Sequence, residues 1–164
     1  MSSTTQTAPI DTKVVTGRRK LHFQNHDEVL ADAERLHAGG YRRLGNWSLG
    51  RMAKHLAGGM NIGLDGAPFR APLLLRFVAK NFLKKRTLRK MTPGFRLPAR
   101  IARHVVPGET SDAEGLDALR EATRRWKTES QRHPQPFFGS LTPDEWDQLV
   151  LRHAEMHMSF LVPK

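Results

Sequence analysis

Cysteine is absent from this 164-residue chain. That excludes disulfides, a thiolate nucleophile and every cysteine-based metal cage, so any bound metal must be held by His, Asp or Glu. Long apolar runs are also missing. Charge interrupts them every few residues, and nothing reads as a membrane span. The first residues, MSSTTQTAPIDTK, lack the basic start and apolar stretch of a secretory signal, so the expected location is cytoplasmic. No repeat occurs at solenoid spacing. Acidic residues vanish between Asp65 and Glu109, where eleven Lys and Arg occur; the other 16 basic residues balance the 16 acidic ones. The net charge of +11 is therefore one local feature rather than a property of the whole surface.

What is present is the composition of a globular protein, 38% hydrophobic and 26% charged, at a length that suits one domain. Residues 1–12 are polar and read as a disordered N-terminus. Residues 13–164 read as a single domain that opens with an extended arm over Lys13–Phe23.

Four helices are marked by caps and apolar stripes. The first starts at Asn25 with Glu28 as capping-box partner, carries Leu30, Ala33 and Leu36/His37, and stops at Gly39-Gly40. The second starts at Ser48, with Trp47 expected to staple onto Met52. The third starts at Ser111 with Glu114 and carries Leu116, Leu119, Ala122 and Trp126. The fourth has Thr142 as cap, Pro143 at the first helical position and Glu145 completing the box. Its stripe is Trp146, Leu149/Val150, His153, Met156/His157 and Phe160. Narrow stripes on four helices predict an all-α four-helix bundle. The connection at 66–110 is long for a bundle loop. It is expected to hold a further helix over about Leu73–Arg89, and its length allows helices two and three to run parallel.

Histidine carries the chemistry. His153 and His157 replace apolar residues at successive core positions, and residues four apart on a helix lie ~5–6 Å apart at Cβ, close enough to share an ion. On the second helix, His55 shares a stripe with Met52, Gly59 and Ile62 and also faces inward. Three neutral imidazoles from two helices leave a fourth coordination position open, as in catalytic zinc sites. The competing reading is three hydrogen-bonded core histidines with no ion. His37 is a weaker fourth candidate; His22, His26, His104 and His133 fall in arms, caps or loops and read as surface residues.

The run Asn46-Trp47-Ser48-Leu49-Gly50-Arg51-Met52-Ala53-Lys54-His55 resembles the Trp-to-His signature on the second helix of the DinB superfamily (DinB/YfiT-like metalloenzymes). His133-Pro134, Phe138-Gly139-Ser140-Leu141-Thr142 and Glu145-Trp146, leading to His153 and His157, resemble the C-terminal half of an uncharacterised subfamily of it. The resemblance covers about residues 13–161. It implies a four-helix bundle, often a homodimer, in which His55, His153 and His157 bind a divalent metal. It implies, for some relatives, transfer or hydrolysis of low-molecular-weight thiol adducts; no catalytic acid or base carries over.

Zn²⁺, Ni²⁺ and Fe²⁺ all accept imidazole, so the ligands do not choose among them. The expected activity is that of a metal-dependent transferase or hydrolase of small molecules. Asp65, on roughly the face of His55, is the best proton-transfer partner the sequence offers. Glu155 lies two residues from both ligands of its helix and points away, and HAEMH is not the zincin HExxH. A rival function resides in residues 69–103, where Phe69, Phe77, Phe82 and Phe95 interleave with the cations. Such a basic amphipathic segment can engage nucleic acid or an anionic membrane, cover the core as a solvated face, or attract an anionic small substrate.

Overall fold

The computed structural model describes residues 9–164, and among these the chain is mostly helical. In chain order the elements are α1 (His26–Gly39), β1 (Tyr41–Arg43), α2 (Leu49–Asp65) and α3 (Leu73–Val78). A π-helical turn (Ala79–Leu83) runs directly into α4 (Lys84–Arg89). Then come α5 (Ala99–Val105), α6 (Asp112–Thr128), α7 (Pro143–Met158) and β2 (Leu161–Pro163).

All four expected helix starts are present. Asn25, Ser48, Ser111 and Thr142 each accept a hydrogen bond from the backbone N–H three residues on, which satisfies an otherwise orphaned donor. At Thr142 the box is reciprocal, with Glu145 accepting from the Thr142 N–H at 3.0 Å. At α1 the box is displaced by one residue: Glu28 accepts from the Gln24 N–H, at 2.7 Å, instead of from Asn25.

Helices α2 and α6 run parallel, as the long connection allows. Their starts meet through Lys54 and Glu114 (2.5 Å), and their ends through Asp65 and Arg125 (2.7 Å). Gly50 and Gly115 make this approach close: a Cβ on Gly115 would overlap the Gly50 carbonyl and lie 2.6 Å from its Cα. Helix α7 is antiparallel to α2, since His157 neighbours His55 while Trp146 lies beside Gly63. Leu36, Leu49, Met60, Leu116, Leu119 and Met158 fill the core these helices share. Across it, Trp126 and Trp146 pack edge to face, 5.9 Å apart.

The structure differs from the sequence reading in several places. The buried stripe of α1 is Val29, Asp32/Ala33 and Leu36, one position round from the expected one, with Leu30 half-buried. The all-helical expectation omits the antiparallel pair β1–β2, which joins Tyr41–Arg43 to Leu161–Pro163. Within the 66–110 connection, the helix expected at 73–89 is present but contains the π turn, and α5 is additional. The arm at 13–23 does lie on the domain: the Arg19 N–H donates to the Ser159 carbonyl at 3.0 Å, and Phe23 is buried. It is held by an ion pair the sequence did not reveal. Arg19 grips the buried Asp32 with its two terminal guanidinium nitrogens, at 2.9 and 2.6 Å, and Arg35 closes on the same carboxylate.

Most of the expected disordered N-terminus, residues 1–8, lies outside the described residues. The end of that stretch is engaged: the Ile10 N–H donates to Asn46 Oδ1 at 2.8 Å, and the Asn46 amide returns a bond to the Ile10 carbonyl at 2.9 Å.

Candidate metal centre

His55 projects from the middle of α2, and His153 and His157 from successive turns of α7. The antiparallel packing of the two helices brings all three together. One ring nitrogen from each lies within 4.8 Å of the other two. Ring centroids are 4.9 Å apart for His55–His153, and 4.6 Å for both His55–His157 and His153–His157. The Nε2 atoms of His55 and His153 stand 3.1 Å apart. Two imidazoles bound tetrahedrally to one ion at ~2.0–2.1 Å would place their nitrogens about 3.3 Å apart, nearly the spacing seen.

The protonation pattern follows from the surroundings. His55 Nδ1 is 2.7 Å from the Val105 carbonyl oxygen, which only accepts, so Nδ1 carries the proton and Nε2 presents a lone pair to the other rings. Burial lowers the His55 pKa despite that hydrogen bond. His153 is pushed down to about 3, chiefly by burial and then by the neighbouring His55. His157 is driven well below the ordinary histidine value by burial, by both partner rings and by Arg18. All three imidazoles are thus neutral near pH 7.

The histidines differ in how they are satisfied. Among the described residues, His153 has no hydrogen-bond partner except His55, and His157 has none. Both rings are half-buried and line the cavity, so the nitrogens without a protein partner face space that a ligand or water can occupy. His157 instead stacks flat on Trp47, with centroids 5.3 Å apart and planes 5° apart, while Trp47 also meets His55 edge-on at 5.0 Å. Trp47, expected to serve as a staple, therefore forms a wall of the site. Arg51 lies over its ring on another side, 5.1 Å from the centroid.

The histidines line a cavity of about 1110 Å³, large enough for a small-molecule ligand. Met52, Leu56 and Ile62 of α2, Leu149 of α7 and Phe160 just beyond the end of α7 form one side. Phe69, Leu75, Leu97, Ile101 and Val105 of the connection form the other. Lys13, Arg86, Lys90 and Arg96 also border it, and Asp11 is the one carboxylate among its described lining residues.

Asp65 is not at the site. It lies ten residues, about 15 Å of helix, beyond His55, and the guanidinium of Arg125 holds it as an ion pair at 2.7 Å. That pairing keeps its carboxyl below the usual range, so it is no general base for the cavity. A shared helical face does not mean a shared depth. Glu155 points away as expected, accepting from the Phe23 N–H at 2.7 Å. His37 is exposed near Asp112, and His22 and His104 are also exposed. His26 departs from the surface reading: it is half-buried, 3.0 Å from Asp147 and edge-on to Trp126. His133 is half-buried too, and its carbonyl accepts from the Trp146 indole at 3.2 Å.

Sequence reasoning missed two elements of the site. The Val105 carbonyl is main chain and leaves no trace in residue identity. Lys13 at the start of the arm and Asp11 just ahead of it reach the cavity only through tertiary folding. Trp47 was visible, immediately ahead of the α2 cap, but its role was not.

The fold and site define a mostly helical protein with a convergent, largely unpartnered histidine trio beside an apolar cavity. The family model described as "Protein of unknown function (DUF1569)" matches residues 15–164, and the chain belongs to that family. No curated protein and no solved structure matches it.

Proposed function

We propose that the chain is a DinB-like four-helix bundle of α1, α2, α6 and α7, in which His55, His153 and His157 hold one divalent metal ion, and that it acts as a metal-dependent transferase or hydrolase of small molecules. The observation that carries this reading is the convergence of three imidazole nitrogens within 4.8 Å, two of the rings having no hydrogen-bond partner outside the trio among the described residues. Such a donor set suits Zn²⁺, Ni²⁺ or Fe²⁺, and three histidines with no fourth protein ligand among the described residues is the composition of catalytic rather than structural zinc sites. When bound, the ion would supply Lewis acidity, lowering the pKa of a coordinated water or thiol, or polarising a carbonyl.

The chain's own residues prepare the site. The Val105 carbonyl fixes the His55 tautomer so that Nε2 faces the other two rings. Burial keeps all three imidazoles neutral, and Trp47 holds the plane of His157. With Asp11 the only described carboxylate in the lining, the geometry favours reactions whose nucleophile is activated at the ion over reactions needing a carboxylate base. Transfer to or from a small thiol is of that kind, and it is what the DinB resemblance implies.

Metal analysis of untagged protein tests the reading. About one divalent ion per chain is expected, falling sharply in His153→Asn. Occupancy below ~0.2 per chain after supplementation with each of the three metals would overturn it.

A further inference from the structure

The helical stretch from Leu73 to Arg89 is only half used by the fold. Its inner side is anchored: Ala79 and Leu88 are buried, and Lys84 pairs with Glu145 of α7 at 2.7 Å. Its outer side carries the reverse of a normal surface. Leu73 is 80% exposed, Leu74 76%, Phe77 61% and Phe82 69%. Val78 and Leu83 are exposed beside them, so this one stretch holds six of the nine large hydrophobic residues exposed among the described residues. Contiguous apolar surface of this kind marks an interaction site.

The π turn assembles the patch. Residues five apart on a regular α-helix point about 140° away from each other. The wider turn at Ala79–Leu83 instead brings Phe77 and Phe82 to one side, with ring centroids 6.4 Å apart. π turns are rare and often occur at functional sites. The same stretch carries exposed Lys80, Lys85 and Arg89, with exposed Arg70 just ahead of it, and no acidic residue lies between Asp65 and Glu109. Of the eleven cations in that interval, only Lys84 has a carboxylate partner among the described residues.

We infer that this face docks on an anionic lipid bilayer, with Leu73, Leu74, Phe77 and Phe82 entering the interface and the flanking cations meeting lipid phosphates. Charge complementarity selects this occupant. A second copy would set two strongly cationic faces against each other. Nucleic acid would satisfy the cations but leave two leucines and two phenylalanines in water. A bilayer interface offers both phosphate and hydrocarbon at the depth an amphipathic helix reaches, roughly 5–10 Å. No described helix is long and apolar enough to cross a membrane, so the contact is peripheral. This inference does not depend on the histidine site holding a metal.

The full chain is to be tested by vesicle co-sedimentation, comparing phosphatidylcholine alone with phosphatidylcholine containing about 40% phosphatidylglycerol. The expected result is partition onto the anionic vesicles only, weakened by salt. It should fall about tenfold or more both in Phe77→Ser/Phe82→Ser and in Lys80→Gln/Lys85→Gln/Arg89→Gln. Because Phe77 and Phe82 are exposed, the serine variant keeps the core intact. A Phe77→Trp variant should show blue-shifted emission on the same vesicles. Any of four results overturns the inference. These are no partition at low salt, undiminished partition of the serine variant, a wild-type dimer that the serine variant dissolves without lipid binding, and nucleic-acid binding that ignores the phenylalanines while vesicles are not bound.

Discussion

Acid should loosen the metal-free protein in a pH window that belongs to the histidines. Each of the three imidazoles is neutral when folded and titrates near the ordinary value of 6.5 once unfolded. Above that value both states are neutral and no stability is at stake. Below it the unfolded chain takes up protons that the folded site refuses, so stability falls as pH drops. His153, with its folded pKa pushed down to about 3, should keep losing through the whole interval between those values. At pH 5 it sits about one and a half units below the unfolded pKa, which corresponds to about 2 kcal/mol from this residue alone. His55 and His157, lowered for the same reason, add to the loss. Ordinary carboxylates titrate near 4, below the window, so they contribute little above pH 5.

Urea unfolding of chelator-treated protein, followed by the emission of buried Trp126 and Trp146, gives the stability at pH 7.5, 6 and 5. The fall should exceed about 2 kcal/mol, and His153→Asn should remove that share of it. A wild-type stability constant within about 0.5 kcal/mol over this range would refute the picture of three desolvated neutral rings. So would a His153→Asn variant with the full acid loss.

Other parts of the structure give sharper or simpler tests. Gly115→Ala would drive a Cβ into the Gly50 backbone and should cost about 3 kcal/mol in chemical denaturation; Gly58→Ala, where nothing lies within 4 Å, should be neutral or stabilising by about 0.5 kcal/mol. Asp32→Ala strips the partner from the half-buried Arg19 and should cost about 3 kcal/mol, with limited trypsin digestion showing faster cleavage at Arg18, Arg19 and Lys20 as the arm detaches. Trp47→Leu removes the flat stack on His157 and should weaken metal binding about tenfold by calorimetry while the helical circular dichroism stays unchanged.

What could be read in the sequence was whatever depends on neighbours along the chain. Helix starts are local events: a side-chain oxygen, three residues, one N–H. Asn25, Ser48, Ser111 and Thr142 therefore announced themselves. The inward placement of His55, His153 and His157 followed from helical periodicity, and the structure does bring them together. Features made by distant segments were not legible. The pairing of Arg19 with Asp32 looks like two unrelated surface charges, and the β1–β2 pair joins segments more than a hundred residues apart. The error at Asp65 has the same origin, because periodicity gives direction around a helix and says nothing of distance from a site. That residues 69–103 could cover the core was among the readings of the sequence, but which of their side chains line the cavity was not legible, since these helices are short and take their orientation from the core they cover.

The hydrogen bond from His55 to Val105 has a consequence for anyone mapping this protein by mutation. Its acceptor belongs to the peptide link, so alanine, leucine or threonine at position 105 would each present the same oxygen to the imidazole. An alanine scan would register only the loss of the valine side chain from the cavity wall, and the part played by the carbonyl would go unscored. Its contribution would surface only through changes that move the main chain, such as a deletion between Pro98 and Gly108. The residue that orients the first histidine is thus invisible to the commonest way of looking for it.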